Sequence, residues 1–310
     1  MRERIAARYG VEPDEVFVTP GASAAIHLVA GILCAPGLRA ICERPAYPPL
    51  WLEPERFGAR VEFVDRRLEE GFRWDPKRAA AALGAKPDAS LVFVTNLHNP
   101  SGTAIAENDL VATGEAAARA GARLVACELY GDFLAARRSR PVATLVTGAV
   151  SIGSLTKAFG LGALRIGWVL CRDREVIRRL ELLFDHIDVN CPMPSLRAAA
   201  AALERIERFE RRALDTAAAG YAEFLAWARR EASAGRLVFA EPAGGIVAFP
   251  RLVGVADTLA FAKRVRERHG VQLTPGEYFG APGHLRIGFG LEPRLVREGL
   301  QAVSAELPAN

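Results

Sequence analysis

The stretch Ser154-Leu155-Thr156-Lys157-Ala158-Phe159-Gly160-Leu161-Gly162-Ala163-Leu164-Arg165-Ile166-Gly167-Trp168 sets a single lysine among small, apolar and hydroxyl residues. The chain has 310 residues and only four lysines: Lys77, Lys86, Lys157 and Lys263. Almost everywhere else it uses arginine for positive charge. Lys77 and Lys86 flank a polar helical stretch, and Lys263 sits beside Arg264 and Arg266, so these three read as solvated surface. Lys157 has a different setting. A partly desolvated amine can lose its proton and attack a carbonyl to form a Schiff base, which an always-protonated arginine cannot do. The alternative is a lysine whose stem packs and whose head snorkels to water. Ser154 three residues before and Arg165 eight residues after weigh against it, because a hydroxyl and a guanidinium suit a phosphate.

The residues upstream of this stretch alternate between strands and helices. Residues 1–9 read as a helix ended by Gly10, and Glu15 to Thr19 as a strand. Pro20-Gly21-Ala22-Ser23 then leads into an apolar helix from Ala24 to about Cys34. A strand, a small-residue turn and a helix present open N–H groups and a positive dipole end to an anion. Further strands are expected at Arg39–Glu43, Arg60–Val64, Ala89–Thr95, Arg123–Cys127, Ala149–Ser154 and Ile166–Cys171, with helices at Pro76–Leu83 and Asn108–Ala120. Asn96-Leu97-His98-Asn99-Pro100-Ser101-Gly102-Thr103 marks a sharp loop at a strand's C-terminal end, the edge where such sheets bind ligands. His98 is read as a loop filler. The alternation over residues 15 to 171 predicts an α/β fold, a mostly parallel doubly wound sheet with helices on both faces.

From Pro194 to about Glu231 the chain is rich in alanine and arginine with helical periodicity. Beyond it the pattern is α+β, with strands expected at Leu237–Ala240, Ile246–Phe249 and Val271–Leu273. A helix is expected at Asp257–His269, a loop at Pro275–Gly280 and a strand at His284–Gly290. The length suits one large and one smaller domain, and the expected division is 1–205 and 206–310.

Composition narrows the function. Forty basic against 36 acidic residues give a net charge of +4. With no basic stripe interleaved with aromatics, nucleic-acid binding has no support. No apolar run is long enough to span a membrane. Cys34, Cys42, Cys127, Cys171 and Cys191 are scattered, odd in number and without metal-ligand spacing, so no metal is expected. A reduced, cytoplasmic compartment is expected, with four of the cysteines as small buried hydrophobes. The opening Met-Arg-Glu-Arg is a charged helix start rather than a signal peptide.

Taken together, the segments resemble those of fold-type I pyridoxal-phosphate enzymes, specifically the class I and II aminotransferases, over residues 1 to 305. The S-x-x-K…R-x-G signature corresponds to Ser154, Lys157 and Arg165. The resemblance implies that Lys157 carries pyridoxal 5′-phosphate as a Schiff base and that Ser154 and Arg165 hold its phosphate. Gly21, Ala22 and Ser23 would cradle the same phosphate, and Tyr47 would stack on the ring. Asn99, in Asn-Pro-Ser-Gly, and Tyr130 would contact the phenolic oxygen, and Asn99 also lies on the substrate side. Arg286, in Arg-Ile-Gly-Phe, would grip the substrate α-carboxylate as a bidentate fork.

The resemblance also implies a transfer between an α-amino acid and a 2-oxo acid, and a homodimer with its site at the subunit interface. One position departs from the pattern: the family's D-E-x-Y reads Cys127-Glu128-Leu129-Tyr130, so a cysteine stands where an aspartate supports the ring nitrogen. The family also starts several tens of residues earlier, with a segment that supplies an arm and a tyrosine for the neighbouring subunit's phosphate. The expected function is an aminotransferase with weakened activity. The competing readings are another reaction of the same cofactor (β-lyase, decarboxylase or racemase) or a catalytically degenerate protein of the same fold.

Overall fold

The computed structural model describes residues 1–84, 88–134 and 140–308; Lys86 lies outside them. The N-terminal part alternates as the sequence predicts. In order come α1 (Arg2–Tyr9), β1 (Val16–Thr19), α2 (Ala22–Leu33), β2 (Arg39–Arg44), α3 (Pro49–Arg56), β3 (Arg60–Asp65) and α4 (Pro76–Leu83). Then follow β4 (Ala89–Thr95), α5 (Glu107–Arg119), β5 (Arg123–Cys127), α6 (Val142–Leu145), β6 (Val150–Ser154), β7 (Gly167–Leu170), α7 (Arg174–Asp185) and α8 (Met193–Leu203). Helices α3, α6 and α7 were not expected from the sequence. α6 is a single turn, and α3 carries Pro54 within it, which masks its period; α7 buries Val176, Ile177, Leu180 and Phe184 at a helical spacing that could have found it.

The seven strands form one sheet in the order β1-β7-β6-β5-β4-β2-β3. β1 to β6 all run in one direction, and β7 alone is antiparallel, between β1 and β6. Beyond a register shift at the start of β4, which puts Ala89 on the same face as Val92 and Val94, side chains alternate across the sheet as the two-residue strand period requires. In β4, Leu91 and Phe93 join the core under α2 and α7, while Val92 and Val94 join the core under α4 and α5. In β5, Val125 and Cys127 take the first face, and Leu124 and Ala126 the second. This is the doubly wound α/β layering expected from the near-continuous apolar strands.

The expected single helical stretch from Pro194 to Glu231 is instead two helices, α8 and the 28-residue α9 (Ile206–Ser233). The break falls at Glu204-Arg205, where Arg205 leaves helical geometry. Helix α9 is shared between two cores: Ile206, Phe209 and Ala213 pack on the large-sheet core, and Phe224, Trp227 and Ala228 on a C-terminal one. The handover is at Gly220, where an added Cβ would lie 1.9 Å from the Phe289 carbonyl oxygen. The rest comprises β8 (Leu237–Val238), β9 (Val247–Ala248), β10 (Arg251–Leu252), α10 (Thr258–His269), β11 (Thr274–Pro275), β12 (Leu285–Gly288) and α11 (Pro293–Glu306). The strand expected at Val271–Leu273 forms instead at Thr274–Pro275, where it pairs with β12 and places Thr274 opposite Arg286. In β12, Leu285 and Ile287 face the C-terminal core, so Arg286 between them points the other way, toward the sheet edge.

Candidate active site

The C-terminal ends of β1, β2, β4, β5 and β6 lie along one edge of the large sheet. Because β7 runs backwards, the residues just before it arrive at that same edge. The loops there and β12 enclose a cavity of about 270 Å³. Of the residues singled out from the sequence, Ala22, Ser23, Tyr47, Asn99, Cys127, Tyr130, Lys157, Arg165 and Arg286 line it. They come from six separate stretches of the chain.

Helix α2 begins at Gly21, which has φ +94° and no side chain to cap the helix, so the first-turn N–H groups of Ala22 and Ser23 stay open at the cavity. A Cβ on Gly21 would sit 2.5 Å from Arg165 Nη2. The missing side chain therefore lets the Arg165 guanidinium lie against the helix N-terminus, where dipole and charge have the same sign. Arg165 itself is left-handed, at φ +52°, and its only side-chain hydrogen bond among the described residues is to Gly162 O at 3.3 Å.

Ser154 lies one layer deeper than expected. It is 3% exposed and does not line the cavity. Its hydroxyl donates either to Thr156 Oγ1 at 2.7 Å or to Ile166 O at 3.1 Å, and it accepts from Thr156 N at 3.0 Å. Thr156 lines the cavity in its place. The sequence reading missed Thr156, although a hydroxyl directly before the lysine was visible. It also missed Thr95, Leu129 and Ile26; the last sits one helical turn after Ala22, a spacing that could have found it.

Three cations share this space: Lys157, Arg165 and Arg286. No carboxylate lines the cavity, and none of the three forms a salt bridge among the described residues. Partial burial, then the charges of Arg286 and Arg165, lower the Lys157 pKa from 10.5, which favours the free amine. Its side chain remains open to the cavity mouth, so solvent screens part of that effect. Burial pushes the Tyr130 phenol up to about 12. Burial, reinforced by the Glu128 and Glu43 carboxylates, pushes the Cys127 thiol up to about 12 as well, leaving it neutral at physiological pH. Glu128 cannot stand in for it. Strand alternation turns the Glu128 side chain to a separate cleft of about 20 Å³ with Asp132 and Ser151, where it accepts from Val142 N at 3.1 Å.

On the cavity floor, Arg286 Nη1 donates to Asn99 Oδ1 at 3.1 Å and Nη2 to Thr274 Oγ1 at 3.3 Å, and its guanidinium lies 5.1 Å from the Phe279 ring centre. Asn99 N donates to Thr95 Oγ1 at 3.0 Å. His98, read as a filler, is fully buried and bonded through both ring nitrogens, to Ser101 Oγ at 2.6 Å and Pro45 O at 2.8 Å.

The sequence matches the family described as aminotransferase class I and II over residues 1–303. The chain belongs to the class I and II aminotransferases. It is 30% identical over 311 residues to the capreomycidine synthase of Streptomyces vinaceus, covering 99% of this chain and 78% of that protein. It is 29% identical over 308 residues to the aspartate aminotransferase of Thermococcus kodakarensis, covering 97% and 78%. In fold it is similar to a PLP-dependent aminotransferase from Streptococcus suis, with TM-score 0.91 at 24% identity, covering 98% of this chain and 80% of that chain. The class I and II aminotransferases are enzymes that use pyridoxal 5′-phosphate. The cavity of this aminotransferase suits that group: an uncapped helix N-terminus and an arginine held against Gly21 form an anion cradle, an amine with lowered pKa stands beside it, and no acidic side chain competes.

Proposed function

We propose that this pyridoxal-phosphate aminotransferase, acting on an α-amino acid and a 2-oxo acid, divides the work among the cavity residues as follows. Lys157 holds the cofactor covalently and, once freed by substrate, moves the α-proton through its Nζ. Gly21, Ala22, Ser23 and Arg165 hold the phosphate, with Ser154 orienting Thr156 at its rim. Tyr47 covers the ring. Asn99 and Tyr130 donate to the phenolic oxygen, and Cys127 faces the ring nitrogen. Arg286 takes the substrate α-carboxylate, beside Asn99. When bound, pyridoxal phosphate supplies the electron sink. The observation that carries this reading is the set of three cations around one cavity without a lining carboxylate. Such a site calls for a ligand with more than one anionic group, as a phosphorylated cofactor and an amino acid are together.

The test is reduction of the cofactor-loaded protein with borohydride, followed by mass spectrometry. A reduced adduct on Lys157 is the expected result; an adduct elsewhere, or none, overturns the assignment.

A homodimer in the cytoplasm is part of this proposal. Leu182, Ile187, Val189 and Met193 are 49%, 51%, 61% and 58% exposed within one short segment, the pattern of a face that another surface covers. All five cysteines are unpaired and buried, in keeping with a reducing compartment. Light scattering that finds only monomer would overturn the dimer. The division into a large domain, 1–205, and a small one, 206–310, also belongs here; the separate C-terminal core supports a second unit, while the first half of α9 packs on the large-sheet core and the handover falls at Gly220.

A second reading rests on Cys127. A neutral thiol gives a ring nitrogen little electrostatic support, so transamination is weakened or another reaction of the same cofactor is favoured. The similarity to a protein named capreomycidine synthase is compatible with the latter.

A further inference from the structure

Glu43 at the end of β2 and Arg66 just beyond β3 form an ion pair, 2.8 Å between Oε2 and Nη1, with both side chains 0% exposed. Neither lines the cavity. A buried pair of this kind costs heavily in desolvation, and apolar residues of equal volume often serve stability as well or better. Stability alone is therefore a poor account of its presence. The hydrogen bonds around it point toward the active site instead.

The two carboxylate oxygens of Glu43 have separate duties. Oε2 takes Arg66, while Oε1 accepts from Thr95 N at 2.7 Å and Thr95 Oγ1 at 2.5 Å. Burial raises the Glu43 pKa, but the Arg66 guanidinium and the Thr95 N–H oppose it and favour the carboxylate; a carboxylate only accepts, so the Thr95 hydroxyl donates to it. The hydroxyl oxygen then has a fixed lone pair for Asn99 N, 3.0 Å away. Asn99 in turn offers Oδ1 to Arg286 Nη1 at 3.1 Å. A guanidinium only donates, so the amide is oriented with its oxygen toward Arg286 and its nitrogen free for a ligand. The donor direction is thus determined along the whole line from Arg286 to Glu43.

Arg66 extends the same scaffold on its other side. Its Nη2 donates to Thr103 Oγ1 at 3.1 Å, Thr103 meets Ser101 Oγ at 2.8 Å, and Ser101 meets His98 Nδ1 at 2.6 Å. His98 Nε2 faces Pro45 O at 2.8 Å, two residues before Tyr47. A carbonyl cannot donate, so His98 carries its proton on Nε2 and accepts at Nδ1. Burial and the nearby Arg66 keep His98 neutral, in agreement with that tautomer.

We propose that Glu43, with Arg66 as its counter-ion, is a positioning residue for the substrate carboxylate, acting through Thr95 and Asn99 on Arg286. The proposal rests on the assignment of Arg286 to that carboxylate. Without the Glu43 acceptor the Thr95 hydroxyl is free to turn, Asn99 loses its anchor, and Arg286 loses the partner that aims its fork. Small misplacements of a binding group are costly in such sites.

The test is spectral titration of the cofactor-loaded protein with each of the twenty common L-amino acids, to choose the strongest responder, and then with the decarboxylated amine of that amino acid. Four variants are compared: Thr95→Val, Thr95→Ser, the volume-conserving pair Glu43→Leu/Arg66→Met, and Arg286→Ala. Thr95→Val and the double variant should weaken amino-acid binding roughly tenfold or more while leaving the amine within about twofold, and Thr95→Ser should stay within about twofold of wild type for both. A purely structural role would lower both ligands together or neither, and either result overturns the proposal. If Arg286→Ala discriminates between amino acid and amine while Thr95→Val does not, the positioning role fails and the Arg286 assignment stands. If Arg286→Ala does not discriminate, or wild type responds to no amino acid, the Arg286 assignment fails and takes the proposal with it. Thr95→Val keeps the buried pair intact, so the test holds even if the double variant does not fold.

Discussion

Arg286 and Asn99 are 187 positions apart in the chain and meet at 3.1 Å, Nη1 to Oδ1, on the floor of the cavity. One belongs to β12 of the C-terminal part, the other to the loop after β4 of the large sheet. This contact joins the group assigned to the substrate carboxylate with a group assigned to the cofactor, so the two sites are built on one hydrogen bond.

Arg286→Ala should weaken α-amino acid binding and leave the cofactor's absorbance in place. Arg165→Ala should do the reverse, because its guanidinium lies against Gly21 and the open N–H groups of α2. Equilibrium dialysis for the cofactor and spectral titration for the amino acid separate the two. Swapped phenotypes would show the arginine assignments to be inverted.

Cys127→Asp should raise the transamination rate. The thiol, held near 12 by burial and by Glu128 and Glu43, stays neutral at pH 7. An aspartate starts far lower, at about 3.9 in water against about 8.5 for a thiol, and although the same burial raises it, an adjacent protonated ring nitrogen favours its charged form, so it would support that proton. An order of magnitude in rate requires only about 1.4 kcal/mol of transition-state stabilisation. Single-turnover kinetics across an amino-acid panel provides the measurement. An unchanged or slower variant would indicate that the thiol has its own role or that the site is not built for transamination.

Burial, more than the neighbouring Asp132 charge, lifts the Glu128 carboxyl from 4.5 to about 8. Between those values the folded state binds more protons than the unfolded chain, so stability falls as pH rises and levels off above about 8. One proton linked in this way contributes at most about 1.4 kcal/mol per pH unit, and residual exposure of the side chain reduces it. Glu128→Gln removes the titration. Urea unfolding from pH 5 to 9 should show the variant gaining on wild type up to about pH 8 and running parallel beyond. Curves that stay parallel throughout would contradict the shift.

Gly220→Ala should destabilise the protein although alanine is the better helix former. The gain in helix propensity is about 1 kcal/mol. Against it stands a Cβ placed 1.9 Å from the Phe289 carbonyl oxygen, an overlap that α9 and the 288–291 segment can relieve only by moving apart. Overpacking of this kind typically costs about 1–3 kcal/mol. A raised urea midpoint in the variant would refute the packing of α9 at this point.

The strands of the large sheet were legible because each is an apolar run bounded by turn residues, with alternate side chains entering two different cores. The lysine segment, the small-residue turn and the Asn-Pro-Ser-Gly loop were legible because their chemistry depends on local spacing. Helices α3, α6, α7 and α11 were not read. α6 is a single turn and the stripe of α3 is interrupted by Pro54, whereas α7 and α11 carry regular apolar stripes, Val176, Ile177, Leu180 and Phe184 in one and Val296, Leu300 and Val303 in the other, at a spacing that could have found them.

The motifs carried by Lys157, Arg165, Asn99 and Tyr130 implied a shared site through their resemblance to a known family, and Asn99, Tyr130 and Lys157 each follow a parallel strand that ends at one sheet edge; Arg165 reaches that edge only because β7 runs antiparallel, which the sequence did not show. The sequence could not settle which hydroxyl faces the cavity: Ser154 turns inward to Ile166 O, and Thr156 lines the site instead. Nor could it reveal Glu43 and Arg66, charged residues whose sequence neighbourhoods suggest an ordinary strand end. A buried charge is stable only beside partners brought from elsewhere in the chain, here Thr95, Phe72 and Thr103. Such partners are neighbours in space and not in sequence, so tertiary packing alone decides where a buried charge can sit and what it can hold in place.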